Sequence, residues 1–101
     1  MRTHAELVDA RRRNPFVGTQ EPRYLLTTFL DGVPAPHRVG TLDPDRSPGD
    51  RFVVDGAEVF VRYERGVATS KLALPWFERG LGVRGTARNA NTLDKLIDLT
   101  R

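Results

Sequence analysis

Residues 70–96 read SKLALPWFERGLGVRGTARNANTLDKL, and changes of pattern inside that stretch decide the fold. Pro75 has no amide hydrogen to give and suits only a helix start. A helix therefore begins near it, with Ser70-Lys71-Leu72 as its extended lead-in. Trp76, Phe77 and Leu81 supply its apolar face, and Gly82 suits the left-handed residue that closes a helix. Val83–Ala87 follows as a short strand. Asn89 stands where an N-cap belongs, ahead of a last helix running to about Thr100, with Leu93, Leu96, Ile97 and Thr100 as its stripe.

Upstream, Asp55-Gly56 is a tight-turn pair between Arg51–Val54 and Ala57–Tyr63, which makes those segments a hairpin. Glu64–Thr69 is a loop around Gly66. Arg23–Leu30 is rich in aromatic and β-branched residues and reads as a central strand. Residues 31–50 contain Pro34, Pro36, Pro44 and Pro48 with Gly32, Gly40 and Gly49. That density predicts a long loop with one helical turn near Thr41–Asp45. At the front, Thr3 and Glu6 have capping-box spacing, Arg11–Arg13 suit a helix C-terminus, and Asn14-Pro15 stops a helix over residues 4–13.

The order is then α-β-β-β-α-β-α. With one strand supplied in front, it becomes a ferredoxin-like α+β sandwich, an antiparallel sheet with helices on one face. The expectation is one domain over residues 1–101 that lacks the first strand of the sandwich. Leu7, Leu25, Val59, Val61, Phe77, Leu93, Leu96 and Ile97 are expected in its core. The first strand of such a sheet lies between the third and the last. Its absence predicts either closure of Val83–Ala87 onto Ala57–Tyr63 or a gap. Unpaired amides are costly and open edges recruit other chains. The partner expectation is therefore self-association, or an upstream half-domain, through an open sheet edge.

The chain has 101 residues, with 16 basic against 13 acidic side chains and a formal charge of +3. This mild excess permits weak, sequence-independent attraction to nucleic acid and no more. Cysteine is absent, so disulfides, thiolate nucleophiles and cysteine zinc sites are excluded. No apolar run approaches 18 residues, and the N-terminus has no signal-peptide core. A cytoplasmic location is the expectation.

Five residues are candidates for binding a ligand or anion: Ser70, Lys71, Arg88, Asn89 and Thr92. Ser70 and Lys71 have the types of a nucleophile and its activator, or of a phosphate clamp. In extended chain, however, adjacent side chains face opposite ways, which favours a helix lead-in or loop anchor. Arg88 and Asn89 precede a helix N-terminus, where anions are stabilised. The plainer role of Asn89 is capping, and Asn91 and Thr92 are ordinary first-turn residues. His4 and His37 lie on separate segments, and no cluster has metal-ligand spacing. No phosphate-loop or dinucleotide glycine motif is present, so neither metal nor cofactor is expected.

The pattern resembles the C-terminal half of a bacterial family, the domain of unknown function 1697. Val59-Phe60-Val61 through Gly66 carries the resemblance, with Ser70-Lys71-Leu72, Phe77-Glu78-Arg79 and Leu81-Gly82-Val83. So do Thr86, Arg88-Asn89, Thr92 and Lys95-Leu96, and earlier Asn14-Pro15-Phe16 and Arg23–Leu30. The resemblance implies two ferredoxin-like halves in family members and only the second here, in a truncated or split form. The family's usual Gly-Arg before Ser-Lys-Leu is Ala68-Thr69 in this chain, and its aromatic after Arg-Asn is Ala90. If the family arginine binds an anion, Thr69 removes that cation. The family has no established activity. The functional expectation is a non-catalytic binding or interaction module. The alternative is half of an enzyme or phosphate-ligand site formed between two ferredoxin-like halves.

Overall fold

A computed structural model describes residues 2–66 and 70–100. Helix α1 spans His4–Arg13 and opens with the full capping box: Thr3 accepts from the Glu6 amide, and Glu6 accepts from the Thr3 amide. A single 3-10 turn, Pro22–Tyr24, leads into β1, Leu25–Leu30. Helix α2 is Pro36–Val39, β2 is Arg51–Asp55 and β3 is Glu58–Arg62. Helix α3 is Leu74–Leu81, β4 is Gly85–Asn89 and α4 is Ala90–Leu99. The helical turn in the long loop thus starts at Pro36, ahead of the expected Thr41–Asp45. Proline at the first helical position decides this.

The four strands form one sheet in the order β2-β3-β1-β4, and all neighbours are antiparallel. This corrects one expectation. The position between β3 and β4 is neither closed up nor empty: β1 fills it, with Thr28 opposite Val59 on one side and Ala87 on the other. Strand pairing is non-local, and β1 has the apolar composition that a central position demands.

A second correction concerns layering. Alternate residues of a strand face opposite sides of the sheet. On one side Leu30, Val59 and Val61 pack with Leu42, Tyr63, Leu72 and with Phe77 and Leu81 of α3. On the other side Phe29 packs with Leu7 and Ala10 of α1 and Leu93 and Ile97 of α4. Helices therefore cover both faces rather than one. Phe29 and Leu30 are adjacent and both buried, so each face of β1 needs its own cover. Leu96, expected in the core, is only half-buried at the edge of the second cluster.

The terminal helices form the second layer together. Arg11 meets Asp94 at 2.6 Å, and His4 Nδ1 lies 3.1 Å from the Ile97 carbonyl. Charges also fasten α1 to the sheet. Arg13 binds Asp9, Asp55 and the buried Glu58, and lies over Phe60 with its guanidinium 5.8 Å from the ring centroid. Arg2 reaches the Leu30 carbonyl at 2.9 Å and lies over the Phe29 ring. Burial disfavours the Arg13 charge, but its hydrogen bonds to Asp55, Glu58 and Asp9 outweigh that and raise the guanidinium pKa.

Gly82 closes α3 at φ 75°, and its amide bonds to the Glu78 carbonyl. A side chain there would be strained in backbone and would meet the Arg38 guanidinium at 3.1 Å.

Candidate functional site

The five sequence candidates fall into two groups. Ser70 and Lys71 lie beside the loop before β2, where Ser47 Oγ is 3.5 Å from Ser70 Oγ and accepts from the Lys71 amide at 3.3 Å. Ser70 also accepts from the Leu72 amide at 3.0 Å, and the Lys71 residue is exposed. Arg88, Asn89 and Thr92 lie at the junction of β4 and α4. Asn89 Oδ1 accepts from the Thr92 amide at 2.8 Å, as an N-cap does. Arg88 is exposed and donates to the Ala87 carbonyl at 2.8 Å. β2 and β4 are the two edges of the sheet, about 14 Å apart at 4.7–4.9 Å per strand. The structure joins neither group to the other by a hydrogen bond among the described residues. Ala68 and Thr69, where the family pattern differs, lie outside those residues.

Sequence reasoning missed the hub of the first group, Asp50. Its carboxylate accepts from the Glu64 amide at 2.7 Å and from Ser47 Oγ at 2.7 Å, and Ser47 in turn accepts from Ser70 Oγ at 3.5 Å. Partial burial pushes the Asp50 carboxyl up. The Glu64 amide, the Ser70 and Ser47 hydroxyls and the Arg62 charge outweigh that and hold it below its usual value. Nearby, Tyr63 donates to the Leu72 carbonyl at 2.6 Å, and burial with the Asp50 charge pushes its pKa up to about 12. The hub thus ties the loop before β2 to the chain after β3 and to the lead-in of α3. Its signal was Ser47-Pro48-Gly49-Asp50, where two polar side chains flank a Pro-Gly turn.

An open cleft of about 890 Å³ adjoins the hub, lined among others by Phe16, Arg51, Arg62 and Arg65. Arg62 is committed to Glu64 at 3.1 Å and to the Thr19 carbonyl at 3.2 Å. Arg51 and Arg65 are exposed and make no ion pair among the described residues.

The sheet edges differ from each other. Along a strand, backbone groups point alternately to either neighbour. The Asp31 amide bonds to the Arg84 carbonyl, so Gly85, Ala87 and Asn89 turn their backbone groups outward from β4. That edge is partly capped: Glu78 accepts from the Gly85 amide at 3.0 Å and Arg88 donates to the Ala87 carbonyl. The Tyr63 amide bonds to the Tyr24 carbonyl, so Arg62 faces β2 and binds Arg51 there. Phe52 and Val54 then point their amides and carbonyls outward from β2, and no described group caps them.

No family model, curated protein or solved structure matches the chain. Among the described residues no group of His, Cys, Asp or Glu could hold a metal ion, and no helix is long and apolar enough to cross a membrane.

Proposed function

We propose that the chain is a non-catalytic interaction module that engages protein through its β2 edge. The observation that carries this reading is the contrast between the edges, one partly capped and the other open at Phe52 and Val54. An exposed edge binds an added strand through main-chain hydrogen bonds. The side chains best suited to chemistry support the same reading. Ser47, Asp50, Ser70 and Tyr63 spend their hydrogen bonds on backbone and on each other.

The same proposal includes the finer fold. We read β1-α2-β2-β3-α3-β4 as a ferredoxin-like unit to which α1 and α4 add a second layer. Its strand order supports this, as does the packing of Val39, Leu42, Phe77 and Leu81 into one cluster. Kinship with the domain of unknown function 1697 and a cytoplasmic location belong to the proposal too. They rest on the residues quoted above and on the lack of cysteine.

The test places a photo-reactive phenylalanine analogue at Val53 or at Thr86 in the producing cell. The reading expects protein adducts from Val53 and none from Thr86. Equal labelling at both, or none at Val53, would overturn it.

A second reading, part of an enzyme or a phosphate-ligand site, is favoured by Arg51 and Arg65 in the cleft, which make no ion pair among the described residues. Arginine forks suit phosphate oxygens. Titration with pyrophosphate, followed by amide shifts of Gly49 and Arg65, tests it: saturable shifts support it, and none refutes it.

A further inference from the structure

We infer that the occupant of the β2 edge is a second copy of this chain, paired β2 to β2 about a two-fold axis through Val53; this inference rests on the interaction-module reading.

Three observations lead there. The first is backbone direction. Phe52 and Val54 both face outward, and an antiparallel neighbour must present outward groups at the opposing positions. A second β2 centred on Val53 sets Phe52 against Val54 of the other copy, and Val54 against its Phe52. All four outward amides and carbonyls on each pair of positions then find partners. A shift of two residues in either direction leaves one of these positions without its match.

The second is charge. The strand reads Arg51-Phe52-Val53-Val54-Asp55, basic at one end and acidic at the other. The same register sets Arg51 opposite Asp55 of the other copy, twice. Opposite charges directly across a ladder stabilise, and like charges destabilise. Shifted registers set Arg51 or Asp55 against Val53 instead. Arg51 makes no ion pair within its own chain among the described residues, so it is available for this contact.

The third is apolar exposure. Val53 is 41% exposed on the α1/α4 side of the edge strand, between those two charges. On the axis it meets its own copy in a non-hydrogen-bonded pair, where side chains approach most closely. A self-complementary patch of this kind is what an isologous dimer requires. The product is a continuous eight-stranded sheet ending at β4 on both sides, where Glu78 and Arg88 cap the ladder. So short a strand makes a small interface, and the dimer is a weak one.

Sedimentation equilibrium of the purified chain from about 10 μM to about 1 mM tests this. The expected result is a mass rising reversibly from monomer toward dimer. Arg51→Glu and Asp55→Lys each raise the dissociation constant at least about tenfold, because each places like charges across the axis. Mixing the two variants restores association. In the mixed dimer the two substituted side chains, one acidic and one basic, face each other, and the remaining Asp55 faces the remaining Arg51. Asp55 also binds Arg13, so Val53→Lys serves as the variant that leaves α1 untouched; it too weakens the dimer at least about tenfold. A monomer at every concentration, or association that survives Val53→Lys and is not rescued by mixing, would overturn the inference. Persistent Val53 adducts in cells with a monomeric purified chain would sink the second copy alone. Loss of both would sink the module reading as well.

Discussion

Glu78 on α3 accepts the amide hydrogen of Gly85 on β4 at 3.0 Å. That one bond joins the last full turn of a helix to the outer rim of the sheet. It satisfies a group that an extra strand would otherwise use. Helix α3, packed on the core, therefore also helps close one end of the ladder, whereas β2 has no such cover among the described residues.

Glu78→Ala should cost about 1.5–3 kcal/mol, the range for losing a hydrogen bond to a charged group. Urea denaturation at neutral pH measures it. An unchanged midpoint would mean that water serves Gly85 equally well.

Asn89→Ala should cost about 1 kcal/mol, because the Thr92 amide loses its acceptor at the start of α4. Asn89→Asp, which keeps an acceptor there, should recover most of the loss. Equal melting of the alanine and aspartate variants would remove the capping role.

Arg13→Ala should be the most damaging of the polar substitutions, at about 3 kcal/mol, because it strands the buried Glu58 carboxylate. Arg2 remains 3.4 Å from Glu58 and offsets a little of the loss. Adding Glu58→Gln in the Arg13→Ala background should restore stability. Further loss in the double variant would show that Glu58 is held by something other than Arg13.

Asp50 predicts a pH dependence. Its folded value lies below the ordinary aspartate value of 3.8, so its contribution is complete above that pH and is lost as pH falls through the folded value. Asp50→Asn should therefore be less stable than the parent at neutral pH, and the difference should narrow below about pH 4. Denaturant melts of both proteins across that range check it. A gap that widens on acidification would reverse the assignment.

Local features were legible in the sequence because their causes are local. The capping box of Thr3 and Glu6, the αL stop at Gly82 and the Asn89 cap each depend on residues within a few positions. The partner of β1 was not legible, since its pairing with both β3 and β4 is set by long-range packing. A clue to the second helical layer did exist. Leu25, Phe29 and Leu30 break the alternation of a one-sided strand, and such a strand is buried on both faces. The site was read in part. Ser70 is legible, but Ser47, which links it to the Asp50 carboxylate, lies 23 positions upstream, and no periodicity connects them. Of the anion-friendly pair, Arg88 caps an edge carbonyl, and Asn89 takes the plainer capping role that its position predicts.

Amide hydrogen exchange at Phe52, Val54 and Gly85, followed residue by residue while protein concentration is raised, probes the open β2 edge itself. An open edge that pairs with a second copy gives fast exchange at Phe52 and Val54 in dilute solution and growing protection as copies associate, with Gly85 protected throughout. Exchange at Phe52 and Val54 that is slow in dilute solution, or that ignores concentration while Gly85 responds to it, would mean that β2 is not the open edge.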